Sequence, residues 1–154
     1  MASPRLLRGR VSHIGTLYSI TTVTAGRRPL FRADGNARIV IDAMRRSDRN
    51  KLTCTLAWAV MPDHLHWLIQ LRRGTLADCL RELKSHSAKH INQLNQARGS
   101  VWQAGYHDHA VRHHESLHAL TAYILHNPVR AGLCTHPSGY PYVWCRWPDH
   151  ANPP

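Results

Sequence analysis

Apolar positions along this chain recur at two spacings, every second residue in some segments and every third or fourth in others. Residues 14–24, IGTLYSITTVT, are rich in β-branched and aromatic side chains and run into the turn-forming AGRRP, so they predict a first strand. Its alternation is ragged, which implies partial burial on both faces. Behind Asp34, a candidate N-cap, the residues Ala37, Ile39, Val40, Ala43 and Met44 follow the helical period and predict a helix over 34–47. Two strand-like runs, LTCTLAWAV and HLHWLIQL, then flank Met61-Pro62-Asp63, the pattern of an antiparallel hairpin. Thr75 is placed to cap a long amphipathic helix over 76–96, with Leu76, Leu80, Leu83, Ala88 and Ile91 inward and Arg81, Lys84 and Lys89 outward. After the Arg98-Gly99-Ser100 break, residues 101–112 read as a strand. Residues 114–126 read as a helix that Pro128 stops.

The order strand, helix, strand, strand, helix, strand, helix predicts an α+β protein. Its first six elements match the ferredoxin-like split βαβ arrangement, an antiparallel sheet with helices on one face, and a C-terminal helix is added. With 154 residues and no internal repeat, low-complexity stretch or linker, the expectation is one domain over 1–154. Its core should span about 14–133, followed by an irregular tail rich in Pro, Trp and Tyr.

Charge narrows the class of partner. Lys and Arg number 20 against 9 Asp and Glu, a formal net charge of +11 before any of the 13 histidines protonates. Such an excess suits a polyanion, nucleic acid or anionic lipid. No apolar run reaches the roughly 18 residues a membrane span needs, and the N-terminal MASPRLLRGRVSH lacks the apolar segment of a secretory signal, so a cytoplasmic protein is expected. The four cysteines, Cys54, Cys79, Cys134 and Cys145, form no CxxC pair and suggest reduced packing residues.

Two chemical patterns stand out. In His64-Leu65-His66, strand alternation sends both imidazoles to one face and Leu65 to the other, which makes half of a metal site; it equally suits a solvent-facing strand that binds nothing. His107-Asp108-His109 has the same spacing, but Asp108 would put a carboxylate on the opposite face. These three residues therefore stand as secondary candidates, bracing ligands, touching DNA, or forming an exposed polar edge. Near the end of the last predicted helix Tyr123 and Asn127 lie four apart on one face, with His126 alongside. A tyrosine hydroxyl attacks a phosphate when a cation stabilises the charge that develops. Both positions also suit plain packing and helix termination.

Taken in order, MPDHLHWL, WQAGYHDHAVR and AYILHNPVRAGL resemble the REP-associated tyrosine transposases, relatives of small single-strand insertion-sequence transposases of the HUH class. The resemblance covers roughly residues 14–143. It implies metal-dependent cleavage and rejoining of single-stranded DNA beside hairpin-forming repeats, through a covalent 5′-phosphotyrosine. It places His64 and His66 as ligands of Mg2+ or Mn2+, Tyr123 as nucleophile, and a third polar ligand at Asn127, with His126 as the substitute. Arg81, Lys84 and Lys89, and the N-terminal Arg5, Arg8 and Arg10, become candidates for contacts to the DNA backbone. Trp102 and Tyr106 could stack on unpaired bases or pack in the core. A catalytically silent hairpin binder and a self-mobilising insertion-sequence enzyme remain the rival readings, and monomer and homodimer both stay open.

Overall fold

The computed structural model describes residues 11–112 and 115–147. Arg5, Arg8, Arg10 and His114 lie outside the described residues. The elements are β1 (Leu17–Val23), α1 (Asp34–Arg49), β2 (Thr53–Val60), β3 (His64–Leu71), α2 (Leu76–Asn95), β4 (His107–Ala110), α3 (Leu117–Leu125), the single turn α4 (Asn127–Arg130) and β5 (Val143–Cys145), with short 3-10 turns between some of them. The strands form one antiparallel sheet in the order β4-β1-β3-β2-β5. The protein is α+β, as its sequence predicts, and no described helix is long and apolar enough to cross a membrane.

Position β3 at the centre follows from its pattern: Leu65, Trp67, Leu68, Ile69 and Leu71 are all fully buried, which demands cover on both faces. One face carries Leu65, Trp67 and Ile69 beneath α1 and α2, whose Val40, Met44, Leu80 and Leu83 fill the main core. The other face carries Leu68 with Ala57 and Ala59 of β2, small residues that let α3 lie close and seat Ile124. β1 alternates more regularly than its sequence implies, burying Tyr18, Ile20 and Thr22.

Local chemistry fixes the ends. Thr75 caps α2 through a full capping box, its hydroxyl accepting from Asp78 N at 3.1 Å while Asp78 Oδ2 accepts from Thr75 N at 3.2 Å. Asp34 is not the N-cap of α1. That position belongs to Ala33, and Asp34 is the first helical residue, where its carboxylate accepts from Arg38 and from the Tyr142 hydroxyl, each at 2.7 Å. Asp48, near the end of α1, accepts from the Thr53 hydroxyl at 2.6 Å and the Thr55 hydroxyl at 2.8 Å, tying the helix to β2.

Three further expectations need correction. Only His107–Ala110 of the 101–112 segment is strand; Trp102 makes a single bridge to Thr24, then turns its indole into the core, and Gly105 at φ 81° bends the chain away from the ladder. The helix predicted over 114–126 begins only at Leu117, behind the Ser116 cap; it stops after Leu125, as Pro128 without its N–H leads one to expect, and the separate turn α4 follows beyond His126. The tail is not wholly irregular: β5 pairs with the outer edge of β2, with Trp144 opposite Trp58 and their rings stacked at 6.5 Å.

Candidate active site

Alternation on the central strand decides where the paired histidines go. Leu65 faces α1 and α2, so His64 and His66 share the Leu68 face, the one on which α3 lies. Their rings meet edge to face with centroids 4.8 Å apart. Each is braced through Nδ1. His64 Nδ1 is 2.6 Å from Asp63 Oδ1, and His66 Nδ1 is 3.1 Å from Thr21 Oγ1, the residue directly across the β1–β3 ladder.

The braces are themselves held. The Asp63 carbonyl accepts from the backbone N–H and hydroxyl of Thr24, at 2.9 and 3.1 Å, and its carboxylate meets Arg27 at 3.3 Å. Burial works against ionising Asp63, but the hydrogen bond from His64 and the charges of His64 and Arg27 outweigh it and keep the carboxyl below its ordinary value. Burial, reinforced by the nearby charges of His64 and Arg130, pulls the His66 imidazole down to about 4. It is neutral at neutral pH, the form that offers a lone pair to a metal.

Two imidazoles on one face are a donor pair that suits a divalent cation. With Nδ1 engaged, Nε2 is the nitrogen left for a ligand, and a carboxylate or hydroxyl behind each ring is the usual bracing of histidine ligands. No group of three or more His, Cys, Asp and Glu side chains able to hold a metal occurs among the described residues. The donor set on this face is therefore two imidazoles, and an amide to complete it would come from Asn127. That amide is engaged: Oδ1 accepts from Arg130 at 2.7 Å, while Nδ2 is buried without a hydrogen-bond partner among the described residues. A carbonyl oxygen keeps a second lone pair, so the bond to Arg130 leaves Oδ1 able to ligate. His126 donates Nδ1 to the Ala122 carbonyl at 2.8 Å along its own helix.

Tyr123 stands on the last turn of α3 with 58% of its surface exposed, while Ile124 and Leu125 beside it are buried. Its ring lies under the Arg130 guanidinium, 3.7 Å from carbon to centroid. Arg130 also donates to the Tyr123 carbonyl at 2.6 Å. Tyr123, Asn127 and Arg130 thus form one unit across the helix break, and Arg130 is near enough to His66 for its charge to bear on that ring.

The other candidates separate. The second histidine pair lies on the edge strand β4. His107 occupies the same row as Thr21 and His66, so it faces the same side of the sheet two strands away, and His109 pairs with Glu115 at 2.8 Å. Asp108 faces the helical side, where with Arg81, Lys84 and Tyr106 it lines a cavity of about 380 Å³. Arg81 is exposed and paired with Asp78 at 2.6 Å, and Lys89 is exposed. Lys84 turns inward, its amine donating to the carbonyls of Gln103 and Gly105, and burial lowers its pKa to about 8. Trp102 is a core residue, its indole N–H donating to Ser87 Oγ at 2.9 Å and its ring against Phe31, and Tyr106 packs at the core margin. Sequence reasoning missed Thr21, Asp63 and Arg130 as parts of the site. Asp63 and Arg130 stand inside the quoted motifs, but Thr21 carries no signal without the strand register.

Residues 13–127 match the family model described as "Transposase IS200 like". A Haemophilus influenzae protein provisionally assigned as a REP-associated tyrosine transposase is 27% identical over 145 residues, 83% of this chain and 78% of its own. The REP-associated tyrosine transposase of Escherichia coli K12 is 30% identical over 90 residues, covering 56% of this chain and 50% of that protein. Among solved structures, a REP-associated tyrosine transposase bound to a REP hairpin superposes with TM-score 0.72 at 23% identity, covering 87% of this chain and 79% of its own. A protein of Deinococcus radiodurans R1 assigned as a transposase gives TM-score 0.51 at 24% identity, covering 70% and 85%. These two structural likenesses bear on the fold.

Proposed function

The chain belongs to the IS200-like transposase family, and on that premise we propose that it cleaves and rejoins single-stranded DNA beside REP-like hairpins through a covalent 5′-phosphotyrosine. The observation that carries this reading is the braced pair His64 and His66 on the sheet face against which α3, the helix of the exposed Tyr123, is packed. The relatives named for REP-associated transposition support the choice of substrate, and the +11 charge supports a polyanionic partner.

His64 and His66, with Asn127 as third donor, would hold Mg2+ or Mn2+. When bound, the cation supplies Lewis-acid stabilisation of charge on the scissile phosphate. Tyr123 Oη attacks phosphorus in line and forms the Oη–P bond as the P–O3′ bond breaks. The phenol proton passes to solvent, and the departing oxygen takes up a proton to become a 3′-hydroxyl. Rejoining is the reverse, a 3′-hydroxyl displacing Tyr123 and re-forming the diester without loss of bond energy. Thr21 and Asp63 hold the imidazoles in the tautomer that exposes Nε2, and the exposed basic residues Arg81 and Lys89 supply backbone affinity.

The test incubates the protein with labelled hairpin-bearing single strands and Mn2+ or Mg2+, comparing wild type, Tyr123→Phe and His64→Ala on denaturing gels. A metal-dependent cut with a covalent protein adduct, lost in both variants, supports the mechanism. Cleavage that survives Tyr123→Phe removes Tyr123 as nucleophile, and binding without cleavage under every metal condition makes the protein a silent hairpin binder.

A further inference from the structure

Arg130 makes three contacts that neither the metal site nor general DNA affinity requires. Its Nη2 donates to Tyr123 O at 2.6 Å and to Asn127 Oδ1 at 2.7 Å, and its guanidinium carbon sits 3.7 Å from the centre of the Tyr123 ring. The first bond crosses the break at His126, from α4 back to the last turn of α3, while the second stays within α4 and holds its first residue. Anchored on both sides of the break, the guanidinium offers its flat face to the phenol.

An exposed tyrosine at a helix end turns freely about two side-chain torsions, which is a poor state for a nucleophile that must meet a phosphate in line. Burial does not restrain this ring, since 58% of Tyr123 is exposed. The Asn127 amide shows how strongly the arrangement is set: Oδ1 faces Arg130 even though Nδ2 is then buried without a partner among the described residues. The opposite amide orientation would set donors against donors. Only a planar, permanently charged fork serves two acceptors in its plane while stacking on an aromatic face, and an ammonium group does not.

We propose that Arg130 is the positioning residue of the nucleophile, clamping the Tyr123 ring to Asn127 so that the hydroxyl and the candidate metal ligand move as one unit. This rests on the reading of Tyr123 as the attacking group.

The experiment compares wild type, Arg130→Lys, Arg130→Ala and Tyr123→Phe in the full chain. Single-turnover adduct formation with hairpin-bearing single strands and Mn2+ is measured beside DNA affinity by fluorescence anisotropy and thermal unfolding. Loss of the clamp is expected to slow adduct formation about 10- to 100-fold. DNA affinity should stay within about threefold, with Lys no better than Ala, and methylguanidinium at non-denaturing concentration should restore part of the rate to Arg130→Ala but none to Tyr123→Phe. A second readout needs no activity. With 3-fluorotyrosine incorporated, the 19F resonance assigned to Tyr123 by its absence in Tyr123→Phe should move toward the free-residue position in both Arg130 variants, without DNA or metal. An unmoved resonance, a wild-type rate, a rate loss matched by lost DNA affinity, or failure of rescue overturns the proposal. If wild type forms no adduct while the resonance does shift, the clamp stands and the assignment of Tyr123 as nucleophile falls.

Discussion

Replacing Thr21 by valine isolates the brace on His66. Valine keeps the β-branched shape that suits β1 and removes only the hydroxyl 3.1 Å from His66 Nδ1. Ligation through Nε2, as proposed, requires the proton on Nδ1, and Thr21 Oγ1 would then be the acceptor that fixes this tautomer and the ring plane. Loss of such a partner typically weakens metal binding about 10- to 100-fold, roughly 1.4–2.7 kcal/mol, while the lost neutral hydrogen bond costs stability only about 1 kcal/mol. Mn2+ affinity of DNA-free protein, read from the EPR signal of free Mn2+, should fall accordingly, with urea midpoints showing a folded variant. Thr22→Val is the matched control. Thr22 faces the helical side, and its hydroxyl is buried without a hydrogen-bond partner among the described residues. That variant should bind Mn2+ as wild type does and gain stability, by about 1 kcal/mol. An Mn2+ dissociation constant for Thr21→Val within twofold of wild type would refute the brace.

Ile124→Ala removes the buried side chain that seats α3 against Leu56, Ala57, Ala59 and Leu68, and should destabilise the fold by about 2–5 kcal/mol in urea titration; a loss below about 1 kcal/mol would show that α3 docks by other means. His66 carries a folded pKa of about 4 against an ordinary 6.5, so between these values the unfolded chain binds more protons and metal-free stability falls as pH drops through that window, by up to about 3 kcal/mol in total. His66→Gln should flatten the difference in urea stability between pH 7 and pH 5, and an unchanged difference would contradict the burial of that ring as a neutral base. Arg81→Gln and Lys89→Gln should each weaken DNA binding regardless of sequence and lower the salt slope of log affinity by about 1; anisotropy titrations showing the wild-type slope would exclude those side chains from the DNA backbone.

Period and punctuation made much of this protein readable from its residues. The hairpin around Met61-Pro62-Asp63 and the Thr75 cap are local chemistry, and the strand period of two by itself sends His64 and His66 to one face and Leu65 to the other. The order of elements then restricts the topology to a ferredoxin-like sheet with β3 at its centre. What stayed hidden depends on register and on chain reversal. Thr21 meets His66 across 45 residues of sequence because β1 pairs with β3 in one register, and a slip of one residue would turn Thr21 to the other face. Lys84 has the helical phase of a solvent-facing residue, yet the carbonyls of Gln103 and Gly105, left by an irregular loop, draw its amine inward. β5 is too short to show a period, and its pairing comes from the outer edge that β2 leaves free. Arg130 reads as one more basic residue until the break at His126 folds it back over Tyr123. The side chains able to carry the chemistry could be picked out from the residues alone, because alternation and capping are local. The tertiary structure alone decided which of them are braced, stacked or turned away, because those contacts join residues that only the folded sheet and the broken helix bring together.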